Sequence, residues 1–133
     1  MPLMAKISVA DYMSRKLISF SQDTDVLEAI NTMLINRIPN APVIDNEGNL
    51  VGMFSEKDAM KVALDASFNQ GMGGKVSEYM SDKITTIDAE ASVMEAAEML
   101  VDSAVRCFPV YNGTDLVGVI SRSDVLRALA SIR

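Results

Sequence analysis

The sequence predicts an α/β (α+β) fold made of two βαββα repeats related by a pseudo-two-fold axis. Three observations carry that expectation. The segment Val9-Ala10-Asp11-Tyr12-Met13-Ser14 returns 67 residues later as Val76-Ser77-Glu78-Tyr79-Met80-Ser81. At the same offset Val26, Glu28 and Ala29 return as Val93, Glu95 and Ala96, and Pro42-Val43 returns as Pro109-Val110. One residue is then lost in a turn. At an offset of 66, Leu50-Val51-Gly52, Ser55 and Asp58 become Leu116-Val117-Gly118, Ser121 and Asp124. A repeat this long, present twice and filling the chain, makes a symmetric module in which any ligand site also occurs twice. It suggests a first repeat at 1–68, a glycine-rich linker at 69–75 and a second repeat at 76–133.

Each repeat reads in the same order. Leu17-Ile18-Ser19-Phe20 is a short apolar stretch and reads as extended. Asp25 stands three residues before Glu28, the spacing of an N-cap and its back-bonding partner. Val26, Ile30, Met33 and Leu34 follow at helical spacing as one buried stripe. In the second copy Ser92 and Glu95 make a capping box, and Val93, Ala97, Leu100 and Val101 form the stripe. Pro42 to Asp45 and Leu50 to Ser55 flank a polar turn, Asn46-Glu47-Gly48-Asn49, which is hairpin chemistry. The second hairpin turns around Asn112-Gly113, which accounts for the missing residue. Helices from Glu56 to Ala66 and from Arg122 to Ile132 close the repeats. The linker from Asn69 to Lys75 is glycine-rich and flexible; Val76 follows Lys75 where a phosphate-binding loop needs Ser or Thr.

Composition narrows the function. A length of 133 residues fits one compact domain or two half-domains sharing a core, and a 49% hydrophobic content suffices to fill it. The apolar runs are too short to cross a bilayer and the N-terminus lacks a signal-peptide core, so a soluble, cytoplasmic protein is expected. The single cysteine, Cys107, cannot form an internal disulfide, in keeping with a reducing compartment. A net charge of −6 argues against nucleic acid, whose binding needs a basic face. The absence of histidine excludes Ser-His-Asp and Cys-His nucleophilic pairs and every zinc site that needs imidazole. No catalytic residue, metal ligand or required cofactor is expected, and catalysis is the least favoured class.

The chemistry-bearing constellation is Gly52-Met53-Phe54-Ser55-Glu56-Lys57-Asp58, echoed by Gly118-Val119-Ile120-Ser121-Arg122-Ser123-Asp124. A strand ends near a glycine and a serine opens a helix, so free backbone N–H groups and the helix dipole favour a phosphate there. The aspartate lies one turn on, where its carboxylate can accept from two vicinal ribose hydroxyls. Ser-x-x-Asp at a helix start is equally a capping box that satisfies only the backbone. The glycine and the duplication favour a binding site without deciding it.

This tandem pattern, with hydrophobic-Pro-Val-x-Asp/Asn before the hairpin and Gly-h-x-Ser-x-x-Asp after it, resembles a pair of CBS domains, the Bateman module. The resemblance runs from about Val9 to Leu129. It implies two symmetry-related clefts that take adenine nucleotides or adenosyl compounds, and dimerisation into a four-repeat disc. Carried over by position, one cleft sets Met53 against adenine, Ser55 near phosphate and Asp58 on ribose, facing Ile84, Thr85, Val105 and Arg106. The other sets Val119, Ser121 and Asp124 opposite Leu17, Ile18, Ile38 and Pro39, with Arg122 and Ser123 close to any phosphate. Arg106 can meet a phosphate, whereas Pro39 offers no donor, so the clefts are expected to be unequal. Lys57 is a further source of charge.

Other residues read as structural. Met33, Met94 and Met99 fill core gaps, Met13 and Met80 pack repeat against repeat with Tyr12 and Tyr79, and Cys107 is a small buried hydrophobe. Asp23, Glu47 and Glu90 occupy turns or face solvent. The favoured function is a regulatory module that senses AMP, ADP, ATP or an S-adenosyl compound and signals in trans to an effector protein, as a homodimer. The alternative is a dimerisation or interaction scaffold with no physiological nucleotide, for which an exposed apolar face at Val62, Leu64, Leu126 and Leu129 would speak. An acid/base enzyme would need paired carboxylates, and Asp58 and Asp124 fall in separate clefts.

Overall fold

The start signals act where the spacing puts them. Asp25 accepts the Glu28 N–H at 3.1 Å and opens α2 (Val26–Asn36); Ser92 accepts the Glu95 N–H at 3.1 Å and opens α4 (Val93–Val101). The structure is a computed structural model that describes residues 6–69 and 73–132, the side chains of 67–69 excepted. Residues 70–72 of the expected linker lie outside the described residues. Around the two helices run α1 (Val9–Tyr12), β1 (Phe20–Ser21), β2 (Asn40–Ile44), β3 (Leu50–Ser55) and α3 (Glu56–Asn69). A 3-10 turn at Val76–Glu78 precedes β4 (Ile87–Asp88), β5 (Cys107–Asn112), β6 (Asp115–Ser121) and α5 (Arg122–Ser131). The two repeats are thus α+β, each with a three-stranded sheet.

The chain divides into two compact units, Ile18–Ile84 and a second that joins the chain up to Leu17 with Thr85–Arg133. Units and repeats divide the chain differently: each unit holds the body of one repeat and the opening segment of the other.

In the 18–84 unit, β1 runs parallel to β2 and β2 antiparallel to β3. Phe20, Val26, Ala29, Met33, Val43, Phe54, Val62 and Val76 form its core, with Phe20 and Phe54 edge to face at 6.4 Å. The segment that opens the second repeat is tied in by backbone. The Val26 N–H donates to the Gly74 carbonyl, Val76 N–H to Thr24 and Ser77 N–H to Gln22, and Met53 and Ser81 exchange both bonds at 2.9 Å.

The other unit repeats the plan with β4, β5 and β6. Val9, Met13, Val93, Leu100, Phe108, Val110, Ile120 and Val125 belong to its core. Here the N-terminal segment is tied in: Val9 N–H donates to Ala91, Ala10 N–H to Ala89, and Ser14 exchanges bonds with Val119 at 2.8 and 3.1 Å.

Two glycines make these junctions possible. A Cβ on Gly52 would lie 2.6 Å from Met80 Sδ and 2.7 Å from the Ser81 carbonyl oxygen; one on Gly118 would lie 2.4 Å from the Ser14 carbonyl oxygen. The same pairing explains the buried prolines. Pro42 and Pro109 face Met53 and Val119, whose backbone groups point to Ser81 and Ser14 instead, so the missing N–H breaks no bond between β2 and β3 or between β5 and β6.

Several expectations are corrected. The buried stripes are Val26, Ala29 and Met33 in α2 and Val93, Ala96 and Leu100 in α4; Leu34 and Val101 are exposed. Each lies one residue, about 100° around the helix, beyond the last core position. Met94 is likewise exposed and Val62 is buried. Met13 and Met80 do pack one repeat against the other, Met13 on Gly118 and Met80 on Gly52, each pair within a single unit. The helix α3 runs on to Asn69.

Gly52→Ala and Gly118→Ala should each lower the unfolding free energy by about 1–3 kcal/mol, because the struck atoms include backbone that cannot swing aside. Urea denaturation of the two variants measures this.

Candidate functional site

The two Ser-x-x-Asp motifs fold as near copies at the starts of α3 and α5. Ser55 N–H and Ser55 Oγ both donate to Asp58 Oδ2 at 2.9 Å, and the Asp58 N–H donates back to Ser55 Oγ at 3.2 Å. At α5 the Ser121 N–H and Oγ reach Asp124 Oδ2 at 2.8 and 3.1 Å, and the Asp124 N–H reaches Ser121 Oγ at 3.3 Å. This is the reciprocal capping box. The bland reading of the motif therefore holds in full for one carboxylate oxygen. The two aspartates are also the buried charged residues of the described chain, 5% and 3% exposed. Their other oxygen, Oδ1, is held by a cation one turn on: Lys61 Nζ at 3.2 Å from Asp58, and Arg127 Nη2 on Asp124.

The helix starts keep fewer open donors than the sequence suggests. The Glu56 N–H donates to the Pro39 carbonyl at 3.0 Å, and the Arg122 N–H to the Arg106 carbonyl at 3.2 Å. With the third N–H taken by serine, Lys57 and Ser123 supply the first-turn N–H groups without an acceptor among the described residues.

The same two bonds fix where the Arg106 and Pro39 backbones lie. Sequence reading sets Arg106 opposite Asp58 and Pro39 opposite Asp124. In the structure the Arg106 backbone lies at the start of α5, in one unit with Asp124, and Pro39 lies at the start of α3, in one unit with Asp58. The strand register causes this: Cys107 pairs with Ser121, so the residue before it meets the residue after Ser121. The 18–84 unit thus contains Ile18, Ile38, Pro39, Met53, Ser55, Asp58 and Ile84. Ile18 and Ile38 are half-buried against its core, Met53 and Ile84 are half-buried, and Pro39 is exposed. The other unit contains Leu17, Thr85, Val105, Arg106, Val119, Ser121, Ser123 and Asp124. There Leu17, Thr85, Val105, Arg106 and Ser123 are exposed, and Val119 is half-buried. The Arg122 guanidinium reaches back to the Ser103 carbonyl at 3.4 Å.

Lys61 and Arg127 are the residues sequence reasoning missed. Their spacing of three from each aspartate was the available signal. The glycine of the motif has a different purpose from the one it suggests: it admits backbone at Ser81 and Ser14 rather than a ligand. Among the described residues no group of three acidic, cysteine or histidine side chains could hold a metal ion. No helix among them is long and apolar enough to cross a membrane.

Comparison with known proteins identifies the fold. The CBS domain family matches residues 9–65 and again 76–131. The chain belongs to the CBS-domain family. It is 31% identical to a CBS domain-containing protein of Dictyostelium discoideum, covering 96% of this chain and 94% of that one. Other relatives are longer: at 29% identity the chain spans 34% of an uncharacterized protein of Methanocaldococcus jannaschii. Among solved structures it is similar to CBSX2 in complex with AMP, with a TM-score of 0.80 at 25% identity over 95% of this chain and 98% of that one. The CBS domain pair of protein MJ0100, in complex with 5′-methylthioadenosine and S-adenosyl-L-methionine, shares the fold with a TM-score of 0.80 at 21% identity, again over 95% and 98%.

The buried Cys107 lies in the unit of Asp124. Burial, reinforced by the Asp124 charge, pushes its thiol up to about 12, so the thiolate is scarce at neutral pH. Iodoacetamide at about pH 8 should leave native Cys107 unmodified and alkylate it once guanidinium unfolds the chain. Mass spectrometry reads both outcomes.

Proposed function

We propose that this CBS-pair protein is a regulatory module that binds an adenosine-type ligand at its two Ser-x-x-Asp helix starts. The observation that carries the reading is the start of α5. A carboxylate 3% exposed lies there with one oxygen fixed by Ser121, and Arg106, Arg122 and Arg127 belong to the same helix start. A fixed carboxylate suits a vicinal diol, and a helix N-terminus with arginines suits a phosphate. Complexes of similar structures with AMP and with methylthioadenosine and S-adenosyl-L-methionine support the ligand class. The ligand would be AMP, ADP, ATP or an S-adenosyl compound, and its binding would shift the surface offered to an effector protein acting in trans. The α3 start has Pro39 in place of Arg106 and Lys57 in place of Ser123, so we infer a weaker preference there for a phosphate.

Asp124→Asn should weaken AMP binding about 5- to 150-fold, the equivalent of 1–3 kcal/mol for unpaired sugar hydroxyls, as read by calorimetry. A scaffold in which Asp124 only caps α5 gives the opposite result. There the variant loses about 1 kcal/mol of stability while AMP leaves the melting temperature unmoved in both proteins.

Self-association belongs to the same reading. Leu34, Ile35, Met60 and Leu64 are exposed on α2 and α3, and Val101, Leu126 and Leu129 on α4 and α5. The second set lines an apolar groove of about 540 Å³ with Ala97, Leu100 and Val125, and Arg122 stands at its edge. Patches of this kind, repeated on both units, fit a second copy of the chain. Sedimentation should show a dimer for the protein and a monomer for Leu64→Glu combined with Leu126→Glu.

A further inference from the structure

The cations one turn beyond each aspartate do more than pair a surface charge. Asp58 and Asp124 each have Oδ2 fully engaged by serine N–H and hydroxyl, so only Oδ1 remains to accept from a sugar. That oxygen is the one Lys61 or Arg127 holds. The aspartates are buried, while the side chains of Lys61 and Arg127 are 56% and 63% exposed. The cations are therefore the partners able to leave: water can take an exposed ammonium or guanidinium, whereas the carboxylates have no route to solvent.

We propose that Lys61 and Arg127 are built-in competitors for the ribose, occupying the acceptor oxygen until a vicinal diol displaces them. The proposal rests on the reading of Asp58 and Asp124 as ribose acceptors. It sets a threshold on each site. A ligand that offers two hydroxyls replaces the ion pair with two hydrogen bonds, and one that lacks them has nothing to exchange. A phosphorylated ligand gains a second advantage, because the released cation adds positive charge near the same helix start. A neutral nucleoside gains none, so adenosine reports the competition with no contribution from phosphate.

The test uses the full chain, with adenosine and AMP as probes and calorimetry as the readout. Lys61→Gln and Arg127→Gln should each bind adenosine about 2- to 5-fold more tightly at their own site, the fold-change expected from deleting one ion pair whose cation is exposed to solvent. Lys61→Arg and Arg127→Lys, which keep the pair, should match the parent protein. Salt supplies a signature that packing alone does not give. Raising it from about 0.05 to about 0.5 M screens the pair and should strengthen adenosine binding to the parent more than to a double Gln variant. No gain for adenosine in either Gln variant, while AMP binds the parent, overturns the competition alone. Failure of the parent to bind AMP or adenosine overturns the functional reading and the competition with it.

Discussion

The close approach of two backbones at Gly52 and Gly118 is the constraint on which the rest of the structure depends. It lets Ser81 and Ser14 pair with Met53 and Val119, which turns each hairpin into a surface for the Val-x-x-Tyr-Met-Ser segment of the other repeat. Because Met53 and Val119 bond outward, the facing prolines Pro42 and Pro109 are tolerated at the centre of each sheet. Beyond the same strands the chain turns into α3 and α5, so the position of both Ser-x-x-Asp motifs follows from that one contact. The Tyr79 hydroxyl, donating to Asp65 at 2.7 Å, fastens the segment to α3 as well. That bond raises the Tyr79 pKa, since ionisation would set a phenolate against a carboxylate.

On the proposed function the motif joins two roles that are often set against each other. Capping takes Oδ2 of each aspartate, fixes the carboxylate and buries it; ligand recognition would use the oxygen left over. A carboxylate already ordered by its own helix loses little further freedom on binding, which is the advantage of preorganisation. The difference between the two sites then comes from their neighbours. The Arg106 backbone meets Arg122 at one motif, and the Pro39 backbone meets Glu56, next to Lys57, at the other.

Much of this was legible in the sequence, because duplication repeats every signal. Asp25 and Ser92 announced their helices, the polar turns marked the hairpins, and Ser-x-x-Asp marked the last helix of each repeat. What escaped were features fixed by the third dimension. The stripes erred at Leu34 and Val101 because a helical period tolerates two neighbouring assignments and only packing chooses. The glycines suggested a ligand because sequence cannot show which backbone approaches them. The bond from the Arg122 N–H to the Arg106 carbonyl was not foreseen, since strand register, which sets Cys107 against Ser121, is invisible until the hairpin is built. The exchange of opening segments was hidden for a related reason: two near-identical segments read equally well with either partner.

That exchange has a consequence for how the protein is made. Residues 18–84 are contiguous, so this unit has all its strands and its docking segment once Ile84 has been synthesised. The N-terminal segment is different: its partners are Ala89, Ala91 and Val119, all synthesised after Ile84. Until they are made, the hairpin already present is β2–β3, whose own occupant, Val76 to Ser81, differs from Val9 to Ser14 at only two of six positions. A segment docked early in the place of its echo would have to leave before the second unit could close.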